Sequence, residues 1–190
     1  VRINIPNALT LLRICLIPVL VVVFYLPFAN HLVVAAGVFA AAAVTDWFDG
    51  YLARRLGQTT AFGAFLDPVA DKLMVAVALV LLVERHDTQL LTLAACVIIG
   101  REIVVSALRE WMAELGERTS VAVSYVGKVK TAFQMVAITA LLAINPDLDA
   151  GWLLALSYVV LYVAAVLTLW SMFIYLQAAW AVMKERDNSF

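Results

Sequence analysis

The sequence predicts an all-α, polytopic membrane protein of six transmembrane helices, and three observations carry that prediction. Apolar residues make up 65% of the chain, with a mean hydropathy of +0.97, against about 45–50% in a soluble domain. A chain of 190 residues cannot bury that much apolar surface in one core, so the excess must face lipid. The apolar residues also fall into six long runs separated by turn-forming residues. Finally, Lys and Arg gather on alternate connections, the asymmetry that sets membrane orientation.

The first run, Ala8–Phe28, matches the ~20 residues needed to cross a bilayer. It lacks a small-x-small cleavage site, so it reads as a retained helix rather than a signal peptide. The second run, His31–Val44, continues as helix through Asp46 and Asp49 and stops before Arg55-Leu-Gly-Gln-Thr-Thr60. The third, Phe65–Val83, ends at His86-Asp87-Thr88, and the fourth, Leu90–Ala107, ends before Gly116. The fifth, Val129–Ile144, runs into Asn145-Pro146, and the sixth, Trp152–Met183, is long enough to protrude from the bilayer. Gly, Pro and Asn at these junctions are turn formers. No repeat or linker divides the chain, so residues 1–190 read as one domain.

Arg2, Arg13, Arg54, Arg55, Arg109, Arg118, Lys128, Lys130, Lys184 and Arg186 lie on one side, and only Arg85 lies on the loops of the other. The positive-inside rule then places both termini in the cytoplasm, which requires an even number of spans. Arg13 reads here as part of that belt. Tyr25, Trp152 and Trp180 fall near span ends, where aromatic belts form. His31 and His86 sit at outer turns and read as solvated or interfacial. Cys15 and Cys96 read as small buried hydrophobes, with no disulfide framework or thiolate metal site. A net charge of -1 gives no bulk field to draw in nucleic acid.

The chemistry-bearing stretch is Thr45-Asp-Trp-Phe-Asp-Gly-Tyr-Leu-Ala-Arg-Arg55 followed by Gly63-Ala-Phe-Leu-Asp-Pro-Val-Ala-Asp-Lys72. Asp46 and Asp49 share one helix face, which Gly50 and Ala53 continue with small side chains; Asp67 and Asp71 share a face of the next helix. A turn between the two helices lets all four carboxylates point into one cleft. Asp46 lies about 15 residues from the outer start of its helix, roughly 22 Å inward, in the inner half of a ~30 Å core. An Asp facing lipid costs about 2.5–3.5 kcal/mol, and four together repel one another, so they need cations. Carboxylate oxygens suit Mg²⁺, Mn²⁺ or Ca²⁺ rather than zinc or copper, and four can bridge two ions about 3.5–4 Å apart. A salt-bridged packing motif with Arg54, Arg55 and Lys72 is the bland alternative, disfavoured because those bases are fewer than the acids.

The pattern Asp46-x2-Asp49-Gly50-x2-Ala53-Arg54-x8-Gly63-x3-Asp67-x3-Asp71 resembles the signature of the CDP-alcohol phosphatidyltransferases at each of its eight defined positions, and the likeness of span number and orientation covers the whole chain. The resemblance implies a two-metal site at Asp46, Asp49, Asp67 and Asp71, with Asp71 also the base. It implies that Gly50, Ala53, Arg54, Thr60 and Gly63 line the cytidine-diphosphate site, closed by Asn7 and Thr10 of Pro6-Asn-Ala-Leu-Thr10. It further implies a homodimer in the bacterial inner membrane, with the site facing the cytoplasm.

A second charged cluster comprises Arg101, Glu102, Arg109, Arg118, Lys128 and Lys130. Arg101 lies about 11 residues into its span, deep enough to be costly unless it faces a polar cavity. With Ile5-Pro-Asn7, Ala43-Val-Thr-Asp-Trp-Phe-Asp-Gly50, Phe62-Gly-Ala-Phe-Leu-Asp-Pro-Val-Ala-Asp-Lys72 and Arg101-Glu102 through Ser106-Ala-Leu-Arg-Glu-Trp-Met-Ala-Glu-Leu-Gly116, the chain resembles the bacterial family members that use sn-glycerol 3-phosphate. That implies CDP-diacylglycerol as donor, and phosphatidylglycerophosphate and CMP as products. Arg101, Arg109, Lys128 and Lys130 are the candidate contacts to the acceptor phosphate, with an interfacial belt as the alternative. Serine, inositol or a similar alcohol as acceptor stays open on the signature alone. A six-helix cation transporter is the remote alternative, disfavoured by the off-centre acids and the lack of repeats. A non-catalytic lipid-binding scaffold would not require Asp71.

Overall fold

The computed structural model describes residues 5–56, 60–114, 125–146 and 151–187. They form six α-helices and, among the described residues, no strands: α1 (Ile5–Tyr25), α2 (His31–Leu56), α3 (Ala61–His86), α4 (Gln89–Glu114), α5 (Tyr125–Ala143) and α6 (Trp152–Asp187). The all-helical expectation holds, and six helices are present among the described residues; their crossing of a membrane is borne out in part.

Among the described residues, three helical segments, Asn7–Tyr25, Gln89–Glu114 and Trp152–Gln177, are long and apolar enough to cross a membrane, and the described parts of α2 and α5, His31–Asp46 and Lys130–Ala143, are shorter apolar stretches. α2 carries Asp46 and Asp49, α3 carries Asp67 and Asp71, and α5 carries Lys128 and Lys130. Length is not limiting for α2 or α3: each has 26 residues, about 39 Å at 1.5 Å per residue, against a ~30 Å hydrocarbon core.

The helix ends follow local chemistry. Pro27 cannot continue α1, and Asn30 takes a positive φ of 66° to re-aim the chain into α2. Asp87 caps α3 in the left-handed conformation, its N–H bonded to the Val83 carbonyl, a common helix stop. The Thr88 carbonyl then accepts from Thr92 N–H at 3.0 Å to start α4.

α1 packs on α2 and α3, α5 on α2 and α6, and α4 on α3 and α6. Leu20, Phe39, Leu82, Leu91, Ile138 and Leu161 fill the shared core. Ala35, Ala42, Ala78 and Ala95 are buried among them, and such small residues let membrane helices approach closely. The outer surface is apolar too: Val22, Val80, Leu93, Val136, Val166 and Trp170 are exposed, as a lipid-facing surface requires. Tyr25, Trp152 and Trp180 are also exposed near helix ends.

Two sequence readings are corrected here. Cys15 and Cys96 are exposed and free, not buried; on a lipid-facing helix a small apolar side chain needs no core. His86 is buried rather than solvated. Its Nδ1 lies 2.6 Å from the Tyr158 hydroxyl and its Nε2 3.2 Å from the Leu141 carbonyl, which ties α3 to α5 and α6. Next to it Arg85 donates to Asn145 Oδ1 at 2.6 Å, and Tyr158 stacks on Tyr162. The Tyr25 hydroxyl donates to Glu84. The helix ends remote from the aspartates are thereby cross-linked by polar contacts, as buried polar groups require.

Candidate active site

The site is built on α1. Asn7, Thr10 and Arg13 recur at three-residue intervals and so share one face. All three are buried, at 2%, 1% and 1% exposure, in a helix whose other residues are mainly apolar. A buried polar side chain is tolerated only with partners, and each of the three finds one on α3.

The first contact is at the start of α3. Thr60 is the N-cap, and its hydroxyl accepts from Gly63 N–H at 3.0 Å, satisfying one of the helix's orphan donors. The same hydroxyl donates to Asn7 Oδ1 at 2.9 Å. Gly63 is required by this contact: a Cβ there would lie 2.5 Å from Asn7 Oδ1. One turn along α1, the Thr10 hydroxyl donates to Asp67 Oδ1.

Arg13 lies a further turn in. Its Nη1 is 2.8 Å from Asp46 Oδ1 on α2 and 2.7 Å from Asp71 Oδ1 on α3. One nitrogen therefore joins carboxylates from two helices, and their oxygens are no further apart than those two contacts allow. The guanidinium is enclosed, yet the Asp46 and Asp71 side chains keep 42% and 47% of their surface exposed. Each carboxylate is held from beneath by Arg13 and open above. The sequence alone puts Arg13 in the one-sided cationic belt, whereas the structure encloses it. The signal that could have found it is its place on the face of Asn7 and Thr10, together with the depth argument applied to Arg101.

The structure thus brings Asn7, Thr10, Thr60, Gly63, Asp46, Asp67 and Asp71 together. Among the described residues, no set of three or more His, Cys, Asp or Glu side chains is grouped tightly enough to hold an ion. Asp49, Gly50, Ala53, Arg54 and Arg55 belong to α2, but their side chains lie outside the described ones, as does that of Lys128 on α5. Arg118 and the connection at residues 57–59 lie outside the described residues.

The second cluster is only partly assembled. Lys130 is buried, at 4% exposure, and interacts electrostatically with Arg101 and Glu102 of α4. Arg101 donates to the neighbouring Glu102 carboxylate, with its own side chain largely enclosed. Gln134, one turn beyond Lys130, is also buried. Arg109 is exposed and turns to α6, its guanidinium 5.8 Å from the centre of the Tyr175 ring, a cation–π distance. Between α3 and α4, a recess of about 150 Å³ is lined by Leu73, Val75, Ile99 and Ile103, with Lys72 and Glu102 beside them.

A helical membrane protein whose first three helices bring half-open aspartates to one point, under the eight-residue signature, is a lipid-linked transferase in architecture. The chain belongs to the CDP-alcohol phosphatidyltransferase family, whose model matches residues 3–180. Its relatives narrow the comparison. A protein of Yersinia pestis (strain Pestoides F) is 58% identical over 184 residues, covering 97% of this chain and 99% of the relative. One of Salmonella choleraesuis (strain SC-B67) is 60% identical over 176 residues, covering 93% and 94%. Both carry the name CDP-diacylglycerol–glycerol-3-phosphate 3-phosphatidyltransferase.

Proposed function

We propose that this chain transfers the phosphatidyl group of CDP-diacylglycerol to sn-glycerol 3-phosphate, giving phosphatidylglycerophosphate and CMP. The observation that carries the chemistry is the convergence of Asp46 and Asp71 on one Arg13 nitrogen, with both carboxylates open to a ligand. The acceptor rests on the names of relatives at 58–60% identity over nearly the whole chain.

Mg²⁺ or Mn²⁺, as two ions, is part of this reading, held by Asp46, Asp49, Asp67 and Asp71. The donor set supports it, since carboxylate oxygens are the ligands hard cations take. Bound there, the ions would neutralise the pyrophosphate and the charge that develops as it is cleaved. The protein's own groups position the reactants and move the proton. The acceptor hydroxyl attacks the phosphorus that bears diacylglycerol, the bond from that phosphorus to the bridging oxygen breaks, and CMP departs with the oxygen. Asp71 takes the hydroxyl proton. Arg54, with Gly50 and Ala53, binds the cytidine diphosphate, while Asn7 and Thr10 hold Thr60 and Asp67 in register beside it. Catalysis of this kind comes mainly from positioning and charge stabilisation.

Lys130 and Arg101, with Lys128 and Arg109, form the cationic side for the acceptor phosphate. The reading also includes a homodimer in the bacterial inner membrane, with termini and site on the cytoplasmic side. The one-sided Lys and Arg distribution supports that orientation.

The test is CMP release from CDP-diacylglycerol by the purified protein in detergent. It should require both sn-glycerol 3-phosphate and Mg²⁺. Equal release with serine or inositol would remove the acceptor assignment, and release in excess chelator would remove the metal assignment.

A further inference from the structure

We propose that Arg13 is a positioning residue that sets the spacing of Asp46 and Asp71 and competes with a divalent cation for their oxygens. The inference rests on the reading of those two aspartates as cation ligands, and it concerns a residue that reading does not use. The guanidinium touches Oδ1 of both carboxylates, at 2.8 and 2.7 Å. It is 1% exposed, so it cannot withdraw to water without parting α1 from α2 and α3. A cation that takes the same oxygens meets a fixed positive charge on their inner side.

That charge has two opposed effects. It holds together two carboxylates that would otherwise repel across a partly dry cleft, and it weakens their attraction for any second cation. Asn7 and Thr10, the other two buried polar residues on this face, are neutral and can do neither. The rigid guanidinium presents several donors at fixed angles, which a lysine ammonium does not. Were Arg13 only packing, its loss would destabilise the protein to the same extent whether or not a cation was present.

The experiment uses the full chain in detergent, with Mn²⁺ as probe. Thermal midpoints are measured in EDTA and in saturating Mn²⁺, and Mn²⁺ affinity by the paramagnetic resonance signal of the free ion. For Arg13→Gln the midpoint in EDTA should fall by about 5–10 °C. Mn²⁺ should recover most of that loss and should bind about tenfold more tightly than to the unsubstituted protein. Equal loss in EDTA and in Mn²⁺, with Mn²⁺ affinity unchanged or weaker, overturns the proposal while leaving the cation site in place. Failure of the unsubstituted protein to bind Mn²⁺ overturns the cation reading, and this inference with it. If Arg13→Gln cannot be purified in EDTA, Arg13→Gln combined with Asp46→Asn removes one charge of each sign. That pair should fold in EDTA, and its failure to do so would count against the proposal.

Discussion

The Thr60 hydroxyl donates to Asn7 Oδ1 at 2.9 Å across 53 positions of sequence, joining the first turn of α1 to the cap of α3. Gly63 leaves room for that bond, since a Cβ would sit 2.5 Å from the same oxygen. Gly63→Ala should therefore destabilise the protein by about 1–3 kcal/mol, as overpacking does, and lower transferase activity with it. Thermal unfolding in detergent measures the first effect. Adding Asn7→Ala removes the obstructing oxygen, so the double variant should unfold no earlier than Asn7→Ala alone. A neutral Gly63→Ala would contradict the close approach.

Asp46→Asn, Asp49→Asn and Asp67→Asn should each remove nearly all Mg²⁺-dependent CMP release, while the proteins still insert and purify. Asp71→Asn should abolish transfer but retain more CDP-diacylglycerol binding than Arg54→Ala. Asparagine keeps an oxygen at position 71 but cannot take the hydroxyl proton. Lipid binding lost in Asp71→Asn and kept in Arg54→Ala would reverse the two roles.

The acceptor contacts divide by burial. Lys130 is enclosed beside Arg101 and Glu102, whereas Arg109 is exposed on Tyr175. A charge-assisted bond is worth about 1.5–3 kcal/mol, so Lys130→Ala should raise the KM for sn-glycerol 3-phosphate roughly ten- to a hundredfold. The KM for CDP-diacylglycerol should change little. Arg101→Ala should behave like Lys130→Ala, and Arg109→Ala should have the smaller effect. Steady-state kinetics with each substrate varied in turn decides this; a larger effect at Arg109 would place the phosphate on the α6 side.

The cross-links at the helix ends remote from the aspartates should matter to stability and not to catalysis. Tyr158→Phe removes the hydroxyl 2.6 Å from the buried His86 Nδ1, and losing a hydrogen bond at a buried polar group costs about 1–3 kcal/mol. The thermal midpoint should fall, while kcat/KM for both substrates stays within about twofold. A selective loss of kcat would show that those ends are coupled to the site.

Much of this was legible in the sequence, for identifiable reasons. Apolar runs marked every helix, but they mark only the lipid-immersed part. α3 begins at Ala61, capped by Thr60, before the run that starts at Phe65. α4 continues to Glu114, past the run's end at Ala107. α1 stops at Tyr25 rather than Phe28, because Pro27 cannot continue it. Asp46, Asp67 and Asp71 were legible from spacing, since a carboxylate inside an apolar helix has few innocent explanations. Arg13 was not, because near a helix's inner end a buried cation and an interfacial one look alike until the partner helices are seen. His86 was hidden for the same reason: its partners, Tyr158 and Leu141, lie 72 and 55 positions away.

The burial of Arg13 also bears on how the protein enters the bilayer. α1 is made first, so its arginine meets the membrane before Asp46 or Asp71 has been synthesised. Until then the guanidinium's refuge is the headgroup layer, which a side chain near the inner end of a helix can reach by snorkelling. Only when α2 and α3 have been threaded in can it turn inward to both carboxylates. The last of the three helices to arrive therefore completes the pairing of Arg13, and an insertion intermediate with two helices should have Asp46 but not Asp71 beside it. In a chain that keeps Arg13 and lacks Cys15 and Cys96, a cysteine at position 10, one turn away on the same face, should be open to water-borne thiol reagents when the chain ends after α2 and closed to them when it ends after α3.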